Sequence, residues 1–438
     1  MSLKARDAAL AALERFRKSN MRSESALSSV LDNSDIEHRD AALASRIFYS
    51  VIQNYYYIDA VIGNFSTMPV KNVQPKVMDI LRVCCSQILF LYRVPDFSAV
   101  NEAVAACKKS FPKAAGFVNA VCRKISDNKD NLPVFGNTDA ERLSIRYSHP
   151  VWFVERLMSE MSCDDCVKLL SANNEVPPTY LQCNTIKSSV DEFYRLFIDN
   201  GGAAKHPYLD GCVCVDNFGS VAESEAFKKG SFYVQDPAAK MAIIAAEPKS
   251  GDKVIDVCAA PGGKSIASAI MMNNTGSIFS YDIGEKKLPK IKESAERLGI
   301  KIINAAKADG REFIAEHFES ADVVIADVPC SGFGVIRKKP EIRYKEYSDV
   351  SNLPVIQLAI LKNASRYVKT GGVLLYSTCT VLSEENGDVV SEFLKDNECF
   401  ELEDFEIPAG KSENGMMTLY PHIHGTDGFF ICKLRRVK

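Results

Sequence analysis

Apolar residues in the first third of the chain recur at helical spacing: Leu10, Leu13 and Phe16, then Ile47, Val51, Tyr55 and Ile58, then Ile80, Val83 and Ile88. Residues three or four apart share one helix face, so this period predicts a series of amphipathic helices. Met68-Pro69, Val94-Pro95-Asp96 and Phe111-Pro112 punctuate it, giving helices of ordinary length joined by short loops. No strand-turn-strand pattern intervenes, and residues 1–128 are expected to form an all-α bundle. Polar and turn-forming residues then concentrate between Asn128 and Asn137, where a domain boundary belongs.

Between 138 and 228 helical segments (Val151 to Met161, Val190 to Phe197) alternate with short strand-like runs (Thr179 to Cys183, Cys212 to Val215), which predicts a small α+β subdomain. From 229 to 438 the pattern becomes buried strand, tight turn, helix, repeated: Lys253 to Val257, Gly276 to Tyr281, Val323 to Ala326 and Val373 to Tyr376. Apolar runs without alternation belong to strands covered on both faces, hence to a mostly parallel, doubly wound α/β sheet of the Rossmann-like kind. Gly428 to Leu434 is expected to close its edge.

With 438 residues, 46% of them hydrophobic and 25% charged, the chain has ordinary globular usage and length for about three domains, which excludes a disordered or disulfide-stapled chain. The apolar stretch Val77 to Val94 is broken by Asp79, Arg82 and Arg93, and Asp7 and Glu14 stand where a signal peptide needs an uncharged core. A cytoplasmic location is expected. Its 14 cysteines have no regular spacing, as for reduced core thiols; Cys163 and Cys166 join Cys212 and Cys214 in no metal-ligand pattern, and no metal is expected. Charge is uneven: 18 Lys and Arg face 13 Asp and Glu in residues 1–135, against 35 and 43 in the remainder. The basic third suits contact with nucleic-acid phosphates or a plain solvated surface. Tyr55, Tyr56 and Tyr57 are placed for base stacking or for the helical core, the second being preferred.

In a doubly wound sheet ligands bind beyond the carboxyl ends of the strands, so the residues just past each strand are the informative ones. After the first strand come Cys258, Ala259, Ala260, Pro261, Gly262, Gly263 and Lys264, small residues that let a backbone approach a ligand, followed by a helical pattern. They match neither the dinucleotide fingerprint nor the P-loop, which disfavours a pyrophosphate. Asp282 stands about 20 residues beyond Gly262, where a carboxylate accepts from ribose hydroxyls, and Asp309 is placed to accept from an adenine amine. S-adenosylmethionine satisfies all three; the alternative for either carboxylate is a helix N-cap.

After the fourth and fifth strands stand Asp327-Val-Pro-Cys330 and Ser377-Thr-Cys379-Thr380, bringing two thiols to the same sheet edge. Cytosine C5 is too weak a nucleophile to take a methyl group from a sulfonium directly, but thiolate addition at C6 makes C5 enamine-like. Asp327, near the thiol and facing the base edge, is placed to stabilise the developing charge. Either cysteine suits attack on this reading. Arg337, Lys338, Lys339 and Arg343 follow the loop and are expected to hold RNA phosphates. Ser383 ahead of Glu384 and Glu385 reads as a helix N-cap with first-turn acids.

Two family resemblances join these observations. Ile80-Leu81-Arg82, Val94-Pro95, Val100-Asn101-Glu102-Ala103-Val104 and Phe117-Val118-Asn119-Ala120-Val121 resemble the NusB family of RNA-binding helical domains. Asp256 to Lys264, Asp327 to Gly334 with Arg337 to Pro340, and Ser377 to Thr380 with Glu384-Glu385-Asn386 resemble the RNA cytosine-C5 methyltransferases of the NOL/NSUN/Sun family. The combination is similar to bacterial members that methylate a cytosine of small-subunit ribosomal RNA. The resemblance implies Cys379 as nucleophile and Cys330 as the residue that assists product release, with Lys264 and Asp327 in the catalytic set. It implies cofactor contacts from Cys258 to Lys264 and at Asp282, Asp309 and Asp327. Small-subunit ribosomal RNA is the implied partner, and no obligate protein partner is evident. Transfer RNA or DNA as substrate, or a non-catalytic RNA-binding assembly factor, are the alternatives.

Overall fold

The computed structural model describes residues 3–19, 21–199, 202–215 and 221–438. The chain divides into two compact units, residues 1–175 with 336–346, and residues 176–335 with 347–438. Among the described residues no helix is long and apolar enough to cross a membrane.

The first unit is helical. Ala5–Ser19, Ser23–Leu31, His38–Gln53, Tyr55–Phe65, Pro75–Phe90, Asp96–Ser110 and Ala115–Asn128 follow one another, and the polar segment after them leads to Asp139–Tyr147, Val151–Glu160 and Cys163–Ala172. The expected apolar stripes form its cores: Ile47, Phe48 and Val51 pack with Ala8, Ala12 and Leu27, while Ile58, Leu81, Val118 and Ile125 share a second cluster. Thr138 opens the helix Asp139–Tyr147 through a capping box with Glu141, which satisfies two otherwise unpaired backbone donors. Inside this unit Arg82 bonds Asp59, Asp79 and the Tyr55 hydroxyl. Tyr57 packs against Phe90 and Phe135, and the Tyr56 hydroxyl donates to the Arg343 carbonyl. The three tyrosines therefore serve this unit's packing.

The second unit carries two sheets. In the smaller one, β1 (Thr179–Cys183), β2 (Ala203–Lys205), β3 (Cys212–Val215) and β4 (Phe232–Val234) run antiparallel in the order β2-β3-β1-β4. The helix Val190–Ile198 packs Phe193 and Phe197 onto its inner face. Asn184 Nδ2 donates to the Leu298 carbonyl and Arg297 to the Phe227 and Phe232 carbonyls, fastening this sheet to the larger one's helices.

The larger sheet contains β5 (Lys253–Asp256), β6 (Ser277–Asp282), β7 (Ile303–Lys307), β8 (Ala321–Asp327), β9 (Val368–Thr378), β10 (Phe400–Leu402), β13 (Met416–Leu419) and β14 (Phe429–Arg436); β11 (Glu406–Ile407) and β12 (Gly410–Lys411) form a separate hairpin. The order is β10-β14-β9-β8-β5-β6-β7, with β5 to β9 parallel and β14 antiparallel to β9. Both faces are covered, one by the helices Pro237–Ala246 and Gly263–Met271, the other by Leu353–Ser365 and Gly387–Lys395. That explains why β5 and β8 read as unbroken apolar runs, and it makes the sheet the Rossmann-like structure expected. One expectation is corrected. The last strand, β14, does not close the edge, because β10 and β13 pair along its far side.

Candidate active site

The strand order reverses between β5 and β8: β6 and β7 lie to one side, β8 and β9 to the other. A crevice opens at such a switch point, beyond the carboxyl ends of the strands. A cavity of about 380 Å³ occupies that position, lined among others by Cys258, Ala260, Asp282, Asp309, Asp327, Cys330 and Cys379. Five separate chain segments thus deliver residues singled out from sequence to one place.

Ala259, Pro261, Gly262 and Gly263 form the turn from β5 into the helix Gly263–Met271. Gly262 adopts φ +106, and a Cβ there would lie 3.2 Å from two Ile291 side-chain atoms, so the turn needs glycine. Its N–H donates to the Ala259 carbonyl at 2.6 Å. At the end of β5, Asp256 accepts from Ser265 Oγ at 2.7 Å, and Ser280 Oγ donates to Ser265 Oγ at 2.8 Å. Burial pushes the Asp256 carboxyl up to about 7. Its position directly before the loop was the available signal for this buried acid.

Asp282 and Asp309 are built alike. Asp282 accepts from its own Gly284 N–H at 2.7 Å and from the Ala260 N–H at 3.1 Å, with Lys287 Nζ 3.5 Å away. Asp309 accepts from the Arg311 N–H at 3.0 Å and from the Arg311 guanidinium, which holds its carboxyl below the ordinary range. Each closes an Asx turn two residues on, and neither is a helix N-cap, because Gly284 precedes the 3₁₀ turn Glu285–Lys287 and the next helical turn after Asp309 starts only at Ala315. Lys264 is buried, with Nζ 2.7 Å from Asp327 Oδ2 and 4.8 Å from the Phe429 ring centroid.

Asp327 and Ser377 are register partners on β8 and β9. That pairing sets the residues just beyond the two strands side by side, and Cys330 Sγ lies 2.8 Å from Cys379 Sγ. The Cys379 N–H donates to Cys330 Sγ at 3.2 Å. The Cys330 thiol is pushed well above its ordinary range, first by the hydrogen bond with Cys379, then by burial. Gly334 donates its N–H to the Cys379 carbonyl at 3.0 Å, and its own carbonyl accepts from Gly428 at 2.8 Å. A Cβ on Gly334 would lie 1.9 Å from the Gly428 oxygen.

Two expectations fail here. Arg337 and Arg343 are buried; Arg343 donates to the Asn173 carbonyl at 2.9 Å and to the Asn174 side chain, so neither is a surface phosphate contact, while Lys338 and Lys339 are exposed. Ser383 is not the cap of the following α-helix, which starts at Gly387 with Asn386 in the N-cap position; Ser383 to Glu385 form a 3₁₀ turn, and Glu385 is buried. Glu385 and Asn386, quoted above only as part of a family motif, emerge beside the thiols, and so does Gln357, which had no signal in the sequence.

The cavity's three carboxylates each stand beside a cation, Asp282 by Lys287, Asp309 by Arg311 and Asp327 by Lys264, so the wall offers hydrogen-bond acceptors suited to a ligand with hydroxyls and amines. Comparison with known proteins agrees in outline. Residues 243–435 match the 16S rRNA methyltransferase RsmB/F family, residues 3–127 the NusB family, and residues 149–222 the RsmF/B-like ferredoxin-like domain. The chain is 34% identical over 444 residues to a probable ribosomal RNA small subunit methyltransferase B of Bacillus subtilis, covering 98% of each chain. It is 29% identical to ribosomal RNA small subunit methyltransferase B of Erwinia tasmaniensis over 90% of each. The crystal structure of PH0851 superposes with a TM-score of 0.82 at 26% identity, covering 100% of both chains. With its NusB helices, ferredoxin-like subdomain and Rossmann-like catalytic sheet, the chain belongs to the RsmB family of ribosomal RNA methyltransferases.

Proposed function

We propose that the enzyme transfers a methyl group from S-adenosylmethionine to C5 of a specific cytosine in small-subunit ribosomal RNA, with Cys379 as nucleophile and Cys330 as the residue that assists release. The observation that carries this is the pair of thiols, 2.8 Å apart, on the wall of a carboxylate-rich cavity. Asp282 suits the ribose hydroxyls: its carboxylate offers about four acceptor sites, of which the Ala260 and Gly284 N–H groups take two. Asp309 suits the adenine amine, and the loop from Cys258 to Lys264 would hold the remainder of the cofactor. When bound, the cofactor supplies an electrophilic methyl group on a cationic sulfur.

Cys379 Sγ, once its proton is lost, bonds to C6 of the base, and the electron pair moved to C5 takes up the methyl group, whose bond to the sulfonium sulfur would break to leave a neutral thioether. The C5 proton then leaves, its electron pair restores the C5–C6 double bond, and the C6–S bond breaks. Cys330 keeps its proton, so its S–H can offer a hydrogen bond to the Cys379 sulfur 2.8 Å away and stabilise that sulfur as it leaves. Lys264 and Ser377 hold Asp327 by both oxygens, fixing one edge of the base site. The NusB helices supply the argument for ribosomal RNA.

Methyl transfer from labelled S-adenosylmethionine to unmodified small-subunit ribosomal RNA, beside transfer RNA and DNA, tests this. A single 5-methylcytosine in the ribosomal RNA is expected. Label confined to transfer RNA or DNA would overturn the substrate, and methyl on another atom would overturn the covalent mechanism.

A further inference from the structure

Glu385 and Asn386 are adjacent in sequence, and between them they reach both sides of both thiols. Glu385 is 1% exposed, and its Oε2 accepts from the Ser331 N–H at 2.8 Å and from Gln357 Nε2 at 2.8 Å. The same Gln357 nitrogen lies 3.0 Å from the Pro329 carbonyl. Cys330 is therefore gripped through the residue before it and the residue after it. Asn386, also buried, accepts from the Thr378 hydroxyl at 2.6 Å and donates Nδ2 to the Thr380 carbonyl at 3.1 Å. Cys379 lies between those two threonines. Ser331 Oγ donates to Thr380 Oγ1 at 2.9 Å and ties the two turns together.

Neither residue spends its side chain as its position would suggest. Asparagine at a helix N-cap ordinarily accepts from the N–H groups of the first turn, yet Asn386 makes no such bond and leaves the helix Gly387–Lys395 uncapped by a side chain. A backbone N–H needs only a neutral acceptor, yet a carboxyl is buried for Ser331, with desolvation pushing it up and Oε1 left without a hydrogen-bond partner. Both side chains are diverted from local structure to the thiol turns.

We propose that Glu385 and Asn386 form a positioning pair that sets the spacing of the two thiols, Glu385 through the Pro329–Ser331 turn and Asn386 through the end of β9. What that spacing serves, attack by one thiol and release by the other, rests on the function proposed above. Glu385 governs the release thiol and Asn386 the attacking one, so the two substitutions separate.

The spacing is read first without RNA, in the full-length protein. Glutathione disulfide oxidises the two thiols to a Cys330–Cys379 disulfide while being reduced to two glutathiones, and the product is mapped by mass spectrometry. Glu385→Ala and Asn386→Ala should each slow this cross-link by roughly tenfold or more, with S-adenosylmethionine affinity unchanged. In single turnovers on a small-subunit ribosomal RNA transcript, Asn386→Ala should slow appearance of the covalent protein–RNA adduct by roughly a hundredfold, whereas Glu385→Ala should form it and fail to resolve it. Glu385→Gln, which keeps an acceptor for Ser331, should recover most of the resolution, and it replaces the alanine variant if that variant does not fold. Asn386→Asp, which keeps the Thr378 acceptor and loses the Thr380 donor, plays the same part with an intermediate rate. Cross-linking at the wild-type rate in both positions would overturn the positioning pair while leaving the catalytic reading intact. Slowed cross-linking together with an adduct that still forms in Cys379→Ala would sustain the pair and overturn the catalytic reading.

Discussion

Lys264 Nζ lies 2.7 Å from Asp327 Oδ2, and the Ser377 hydroxyl donates to the other carboxylate oxygen at 2.8 Å. The lysine comes from the helix after β5 and the serine from β9, so a carboxylate at the end of β8 is fixed from both neighbouring strands. Asp327→Ala leaves an unpaired cation in a site where Lys264 is 8% exposed. The expected loss is about 3 kcal/mol, at the low end for a broken buried pair because the Asp327 side chain keeps 31% exposure. Urea unfolding measures it, and Lys264→Met in the same background should restore most of the stability but none of the methyl transfer. A double variant no more stable than Asp327→Ala would refute the ion-pair account.

Asp256 makes stability depend on pH. Its carboxyl keeps a proton up to about 7 in the folded protein, because burial opposes the charge, and loses it near the ordinary value of about 3.9 when unfolded. Between those values the folded state binds more protons, so the group's contribution is complete in acid and is lost as pH rises through about 7. Asp256→Asn has no proton to lose and still accepts from Ser265. Its stability relative to the wild type should rise across that window by up to about 4 kcal/mol and then level off. Unfolding free energies of both proteins at several pH values test this, and a difference independent of pH would show that the carboxyl is already charged.

What sequence could show follows from what is local. The unbroken apolar runs of β5 and β8 announce strands covered on both faces, and the small residues from Ala259 to Gly263 announce a close turn, because both signals lie within a few positions. Whether β14 ends the sheet depends on its partners, and β10 and β13 have too few residues to display a period. Arg343 looks like a surface cation in a basic run; only the fold brings it the Asn173 carbonyl that permits burial. Glu385 likewise fits a helix-start pattern until Ser331 and Gln357, remote in sequence, take its carboxylate. The thiol pair was legible because two strand ends at one sheet edge must converge, while Glu385 and Asn386 showed only as part of a motif and their contacts with the two thiol turns needed the fold.

Gly334→Ala should disturb the nucleophile without touching it. The added Cβ would lie 1.9 Å from the Gly428 oxygen and 2.9 Å from the Cys379 oxygen, both main-chain atoms that side-chain rotation cannot relieve. The backbone must move, at a cost of roughly 1–3 kcal/mol. Because Gly334 also donates to the Cys379 carbonyl, the shift reaches the thiol itself. Methyl transfer should fall roughly a hundredfold, as for a small misplacement of a reacting group, with cofactor affinity nearly unchanged. Equal losses in cofactor binding and turnover would mean a general collapse of the sheet edge instead.

Asp282 offers the sharpest test of cofactor placement because it joins two duties. One oxygen accepts from Ala260 in the loop after β5, and the other from Gly284 in its own turn. Asp282→Ala removes the acceptor for ribose hydroxyls and slackens the loop as well, so S-adenosylmethionine affinity should weaken by roughly 1.5–3 kcal/mol, the value of hydrogen bonds to a charged group. Asp282→Asn separates the duties: it retains an acceptor for one backbone N–H but presents an amide donor to the ribose. If the ribose contact dominates, calorimetry should find the asparagine variant nearly as weak as the alanine variant; if the loop contact dominates, it should bind close to the wild type. Wild-type affinity in Asp282→Ala would reject both and move the ribose elsewhere in the cavity.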